Sequence, residues 1–385
     1  MSDLTATVDL LGELVAYPTI STDPNRAIID LLAGRLTAAG AQVEVMGDSH
    51  KANLWATLGP DEAGGVLLSG HTDVVPVADQ DWTGDPFVMR EDQGRLYGRG
   101  TCDMKGFVAA ATVLANTLRG RTLTRPLHFA FTHDEETGCL GAQALIEVLR
   151  TRPNLPSVAI IGEPTSMQVI DAHKGCFEYR TRFTGAEGHG SAPDLGVNAA
   201  EYAARYVARL LGLRELMKTR APSDSPFDPP WTTINVGSIH SGVAPNVIPG
   251  KAEVEWEMRP VRDEDADFVK SDLSVFESET LLPAMRSVSA IARIETDILG
   301  EVVGLSRMEV NAARELICGL TGANDAGSVA FGTEAGLFQS LGMSAVICGP
   351  GSIEQAHKPD EWIALDQLSE CCAMLEKLGK TLTAV

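Results

Sequence analysis

Apolar and polar positions along the chain fall into two textures. Up to about residue 176, short apolar runs alternate with stretches whose apolar residues recur every three or four positions. Leu4, Val8, Leu11 and Val15 share one helical stripe, and AIIDLLAGRLTAAG reads as a second helix stopped by Gly40. QVEVM and NLWATLG are strand-like, and GGVLLSGHTDVVP reads as a buried strand running into a loop. After Asp103 a helix is predicted, with Phe107, Ala111, Leu114 and Leu118 on one stripe. LHFAFTHDEE, with Leu127, Phe129 and Phe131 alternating as one buried face, AQALIEVL and SVAIIGEPT continue the series as strand, helix and strand. This alternation predicts an α/β domain with a mostly parallel sheet.

From about residue 177 the period changes. FEYRTRFTG and KAEVEWEMRP alternate apolar with polar residues, as a sheet with one open face does. Between them Ala199, Ala203, Tyr206, Leu210 and Leu213 mark a helix; another spans roughly 263–282, and the strand ARIETDIL follows. The pattern predicts an inserted β-α-β-β-α-β, ferredoxin-like α+β module over 177–295. The α/β texture then returns, with a helix near 308–321, the strand MSAVIC, and a closing helix carrying Leu368, Cys372, Leu375 and Leu382. The main domain is therefore expected to comprise 1–176 and 296–385, and 385 residues suit two cores better than one.

Charge and cysteine usage narrow the partners. With 31 basic and 52 acidic residues the net charge is −21, which argues against nucleic acid and is compatible with cationic substrates. Seven scattered cysteines without a CxxC pair suggest reduced thiols and a cytoplasmic setting. No apolar run is long enough to span a membrane, and MSDLTATVDLLGEL lacks the basic start of a signal segment.

Polar residues collect after the predicted strands. VLLSG leads to His71 and Asp73, FAFT to Glu135 and Glu136, VAIIG to Glu163, and SAVICGPGSIEQA to His357, while Asp103 stands just before a helix. Ligands of open α/β sheets bind beyond the carboxyl ends of the strands, so these groups are expected on one rim. Neither GxSxG nor GxxxxGK[ST] is present. Carboxylates alone would repel one another, and divalent cations remove that cost; mixed nitrogen and oxygen donors suit zinc or a related ion. Two histidines with three carboxylates exceed one open tetrahedral site and suit two metals about 3.5–4 Å apart. Neighbouring residues on an extended segment point opposite ways, so one of Glu135 and Glu136 would bind metal and the other act as general base. Asp73 is placed to accept the second ring N–H of His71. Taken singly, HxD, EE and Asp103 read as a structural histidine, a solvated pair and a helix cap; the joint pattern carries the metal reading.

SGHTDVVP, GRGTCDMKG, THDEETG, IIGEPT, GHGSAP and GPGSIEQAHKPDEW together resemble the M20 family of metallo-aminoacylases and peptidases, in family order through nearly the whole chain. The resemblance implies a catalytic domain with two divalent ions, Zn2+ or alternatively Co2+, and an inserted lid that forms a homodimer. It implies that Asp103 bridges the metals, that His71 and Glu163 complete one site and Glu136 and His357 the other, and that Glu135 is the base. It also implies a cis Asp103–Met104 bond. In the lid, His189 of GHGSAP matches a histidine that steadies the oxyanion, in dimers that of the other subunit, while Asn246 and Arg259 match substrate-holding positions. FGTEAGLFQ looks most like members that deacetylate N2-acetyl-L-ornithine in arginine synthesis, and Glu334 is expected either to meet the substrate's δ-ammonium or to be structural. Another N-acyl-amino-acid deacylase, of the succinyl-diaminopimelate or aminoacylase type, or a dipeptidase, is the alternative; a metal-bound binding protein is more remote.

Overall fold

The structure, a computed structural model, describes residues 3–384. They separate into two compact units: one of the described residues up to Ala172, Leu305–Ser328 and those from Thr333 on, the other of His173–Gly304 and Val329–Gly332.

The first unit is built on an eight-stranded sheet. Its centre is four strands, β1 (Val66–His71), β2 (Leu127–Thr132), β3 (Val158–Pro164) and β4 (Ser344–Gly349). They lie in the spatial order β2-β1-β3-β4 and every neighbouring pair is parallel. The hairpin Gln42–Gly47 and Ala52–Leu58 adds antiparallel to the β2 side. Every residue of β2 is buried, where the alternation in LHFAFT predicted one buried face. A parallel strand covered by helices on both sides has no solvent face, so His128 and Thr132 are enclosed as well. Helices Asp3–Val15, Gly106–Thr117 and Leu365–Leu382 share this core. Gly106–Ala115 is buried throughout rather than along one stripe. Gly40 ends the helix Arg26–Ala39 in the left-handed region, φ 97°, its N–H reaching back to Leu36 and Thr37. The sequence reading missed a small sheet of Arg90–Asp92, Arg95–Tyr97 and Trp362–Ala364, whose three-residue strands carry too little pattern to read.

The second unit runs strand Cys176–Thr184, helix Ala199–Thr219, strands Thr233–Ser241 and Lys251–Arg259, helix Asp263–Phe276 and strand Arg293–Val302. The sheet is antiparallel throughout, in the order Thr233–Ser241, Lys251–Arg259, Cys176–Thr184, Arg293–Val302. Phe177, Tyr179, Phe183, Val254, Trp256 and Met258 point to one face, against Tyr206, Leu210 and Val269 of the two helices. The helix predicted for 263–282 widens at Glu277–Leu281 before Leu282–Arg286. The boundary expected at 295 falls inside the last strand, which pairs with Cys176–Thr184 as far as Val302, so this unit extends to Gly304.

Candidate metal centre

Because β1 to β4 are parallel, their carboxyl ends share one edge of the sheet, and the polar residues that follow them gather there. His71 closes β1, Glu163 is the last residue but one of β3, and Glu135 and Glu136 lie on the turn after β2. Asp103 sits on the turn Thr101–Lys105 that opens the helix Gly106–Thr117, and its bond to Met104 is cis. Its two carboxylate oxygens face opposite ways: Oδ1 is 3.1 Å from His71 Nε2 and Oδ2 is 3.4 Å from His357 Nε2. His357 Nε2 also meets Glu136 Oε2 at 3.0 Å, and His71 Nε2 lies 3.7 Å from Glu163 Oε1. Two groups of three potential donors result, His71 with Asp103 and Glu136, and His71 with Glu135 and Glu163, each with its donor atoms within 4.8 Å of one another.

Glu135 and Glu136 diverge, but not because the segment is extended. It is a turn, with Asp134 and Cys139 in the left-handed region at φ 52° and 54°. Asp73 holds it: Oδ1 accepts the amide of Glu135 at 3.1 Å and Oδ2 that of Glu136 at 3.3 Å. Ser21 Oγ donates to the same carboxylate at 2.7 Å. Lys51 Nζ ties the turn from its other side, to Asp134 Oδ1 at 2.5 Å and Ser21 O at 2.6 Å. His71 Nδ1 lies 2.9 Å from the Asp73 carbonyl and 3.5 Å from its carboxylate. A carbonyl only accepts, so Nδ1 carries the proton and Nε2 faces the carboxylates. Asp73 was expected to meet this ring nitrogen through its side chain; its backbone oxygen is the closer of the two.

The electrostatics ask for cations. Burial pushes Glu135 up to about 8 and raises Glu136 and Glu163 as well, with Asp103's charge adding to the effect on each. The same carboxylates draw protons onto the imidazoles: hydrogen bonds to Asp103 and Glu136 bring His357 up to about 10. Burial opposes the charge on Asp103, but both imidazoles outweigh it and hold its carboxyl low. Glu163 Oε1 is buried without a hydrogen-bond partner. An orphaned buried carboxylate oxygen beside two imidazoles and three further carboxylates fits a pair of divalent cations with mixed nitrogen and oxygen donors.

The remaining residues singled out in the sequence are placed otherwise. Glu334 is buried, with one oxygen held by Ser69 Oγ and the other by Thr132 Oγ1 at 2.9 Å. It anchors the ends of β1 and β2 inside the fold and has no exposed face for a substrate ammonium; burial against the sheet was not legible from FGTEAGLFQ. His189, Asn246 and Arg259 belong to the second unit. His189 is exposed, its Nδ1 2.8 Å from Ser191 Oγ, and Asn246 is exposed on the neighbouring strand connection, its carbonyl accepting from Gly190 N at 2.8 Å. Arg259 is partly buried and meets Glu257 Oε2 at 3.0 Å. Glu257 groups with Cys176 and Glu178, a thiol and two carboxylates compensated by that arginine. Sequence reasoning gave no role to Ser21, Lys51, Arg99 or Glu361; the last stands in the quoted HKPDEW, where its position after His357 was the available signal.

Among the described residues no helix is long and apolar enough to cross a membrane. A family model described as peptidase family M20/M25/M40 matches residues 67–381. The chain is 37% identical over 368 residues to an acetylornithine deacetylase of Klebsiella pneumoniae (strain 342), covering 92% of each chain. It is 35% identical over 390 residues to that of Pasteurella multocida (strain Pm70), covering 98% of each. Among solved structures, aminopeptidase PepT from Bacillus cereus ATCC 10987 is similar with a TM-score of 0.72 at 18% identity, covering 98% of both chains. The Bacillus subtilis YXEP protein, described as a dinuclear metal binding peptidase from the M20 family, is similar with a TM-score of 0.66 at 17% identity, covering 99% of both. At these identities the structures speak for the fold.

Proposed function

The chain belongs to peptidase family M20/M25/M40, and from there we propose that it is a two-cation amidohydrolase that converts N2-acetyl-L-ornithine and water to L-ornithine and acetate. The observation that carries the reading is Asp103, whose two oxygens reach His71 and His357 at the rim of four parallel strands. Identity to acetylornithine deacetylases over most of the chain supports the choice of substrate.

His71, Asp103 and Glu163 would hold one cation and Asp103, Glu136 and His357 the other, with Asp103 shared. Bound there, divalent cations polarise a carbonyl and lower the pKa of water. Glu135 takes a proton from the attacking water and passes it to the departing amine nitrogen. Burial raises its proton affinity, which favours holding that proton between the two steps. Asp73 keeps Glu135 in reach by binding the turn's amides, and fixes His71 through its carbonyl. In the second unit we assign His189 to the oxyanion, Asn246 to the substrate amide and Arg259 to the α-carboxylate, for which a guanidinium fork is suited. Zn2+ is the proposed ion, with Co2+ the alternative. The proposal is completed by a homodimer through the second unit and a cytoplasmic place in arginine synthesis, in keeping with seven cysteines that form no disulfide.

The test is hydrolysis by metal-stripped protein with and without added Zn2+ or Co2+, on N2-acetylornithine, acetylmethionine, acetylcitrulline, succinyl-diaminopimelate and a dipeptide. Metal-dependent turnover, fastest on N2-acetylornithine, is expected. A different preferred amide would overturn the substrate and keep the centre. No metal-dependent turnover on any of them would overturn the enzyme reading for this panel.

A further inference from the structure

We propose that Glu361 is a positioning residue that sets the interval between Asp103 and His357 and so governs uptake of the cation on the His357 side. The inference rests on the two-cation reading. Glu361 is 1% exposed, yet its carboxylate touches neither imidazole nor the other acids of the centre in any hydrogen bond. All its capacity goes to one turn. Oε1 accepts the amides of Cys102 at 2.8 Å and Asp103 at 3.0 Å; Oε2 accepts the amide of Gly100 at 3.0 Å and Arg99 Nη1 at 2.8 Å. The carbonyl of Glu361 accepts Gly98 N at 2.9 Å, extending the antiparallel pairing of Trp362 with Tyr97. The turn that presents Asp103 is therefore docked, amide by amide, on the segment that presents His357.

Arg99 closes the circuit. It is 1% exposed, and its Nη2 donates to Gln80 Oε1 at 2.6 Å, while Gln80 Nε2 donates to the carbonyl of His357 at 3.0 Å. His357 needs such support, because it is a non-glycine residue in the left-handed region, φ 62°, and Asp360 is another at φ 51°. Residues hold that conformation only where their surroundings over-determine it. The other half of the centre has no such need. His71 and Glu163 stand at the ends of β1 and β3, which are adjacent and in register, Ser69 opposite Ile161. Loosening the Glu361 clamp shifts two ligands of the His357-side cation, Asp103 and His357, but only the shared Asp103 of the other, so it should weaken the first more than the second.

A carboxylate is required by count: four N–H groups converge on two oxygens. A glutamine keeps one acceptor oxygen and turns its NH2 toward two N–H donors on the other side. The test is calorimetric titration of the metal-stripped full chain with Zn2+, for wild type, Glu361→Gln and Gln80→Ala. Wild type is expected to take up two equivalents. Glu361→Gln is expected to keep one within about threefold of wild type and to weaken the other by about 10–100-fold, the usual effect of losing a group that orients ligands. Gln80→Ala, which removes the contact to His357 and the acceptor of Arg99 Nη2 and Trp82 Nε1 but leaves the amide clamp of Glu361 in place, should weaken the same equivalent by less, about threefold to tenfold. Two equivalents bound with wild-type affinity by both variants, or two weakened equally in a variant with a native circular dichroism spectrum, overturns the proposal. Should Glu361→Gln fail to fold, Gln80→Ala decides alone. A wild type that binds fewer than two equivalents overturns the two-cation reading, and the clamp with it.

Discussion

At the turn after β2 Asp73 holds the amides of Glu135 and Glu136, and in the proposed mechanism Glu135 is the group that reacts. Glu135→Gln should lower kcat by about 100- to 10,000-fold, the range for loss of a general base, while Zn2+ uptake by calorimetry stays within about threefold of wild type. Asp73→Asn removes an acceptor from the pair that receives the amides of Glu135 and Glu136. Its kcat should fall by about 10–100-fold with KM nearly unchanged, since the group orients the base and not the substrate. His71, Glu135, Glu136, Glu163 and His357 drew notice because each follows a strand signal in sequence, and Asp103 because it stands just before a helix. Glu334 was not: only packing reveals that Ser69 and Thr132 enclose it. Nor could spacing show that Glu135 and Glu136 part company on a turn, since the left-handed Asp134 and Cys139 leave no mark in composition.

The ends of the central strands are held to the helix behind the centre by small residues. A Cβ on Gly162 would stand 2.0 Å from the ring of Phe107, in the first turn of the helix that follows Asp103. A Cβ on Gly349 of β4 would stand 2.0 Å from the carbonyl of Gly162. Gly162→Ala should therefore destabilise by about 1–3 kcal/mol or more, seen as a lower urea midpoint, because backbone and an enclosed ring cannot step aside cheaply. The glycine beside Glu163 is in this sense part of the spacing between β3 and the Asp103 turn. Strand and helix identities were readable from apolar period, because parallel strands under helices are continuous apolar runs. The three-residue strands beside Glu361 were not, and the segment they fix went unassigned with them.

Each unit also buries a neutral histidine, which gives the folded protein a defined response to acid. His128 in the first unit and His173 in the second are both held down to about 4 by burial. An unfolded histidine titrates near 6.5, so here the folded state binds protons less readily than the unfolded one. The stability each provides is complete above about pH 6.5 and is lost as pH falls toward 4, to a limit of about 3 kcal/mol per residue. Between pH 7 and 4.5 the urea midpoint of the wild type should fall relative to that of His128→Gln, which lacks this contribution. An unchanged slope in the variant would show that His128 is not the group responsible. The division into an α/β part and an inserted α+β part was visible as the change of apolar period near residue 177. The return was harder to place, because the last strand of the second unit exposes much of its length and so resembles a connection.

The order in which the sheet is assembled has a consequence for biosynthesis. Strand β4 and His357 leave the ribosome only after the second unit, His173–Gly304, has been made in full. At about 5–20 residues per second, the nascent chain waits on the order of ten seconds or more with the β3 edge unpaired and the centre lacking His357 and Glu361. During that interval the newborn protein offers an open, apolar strand to any neighbour, and its acids to any stray cation.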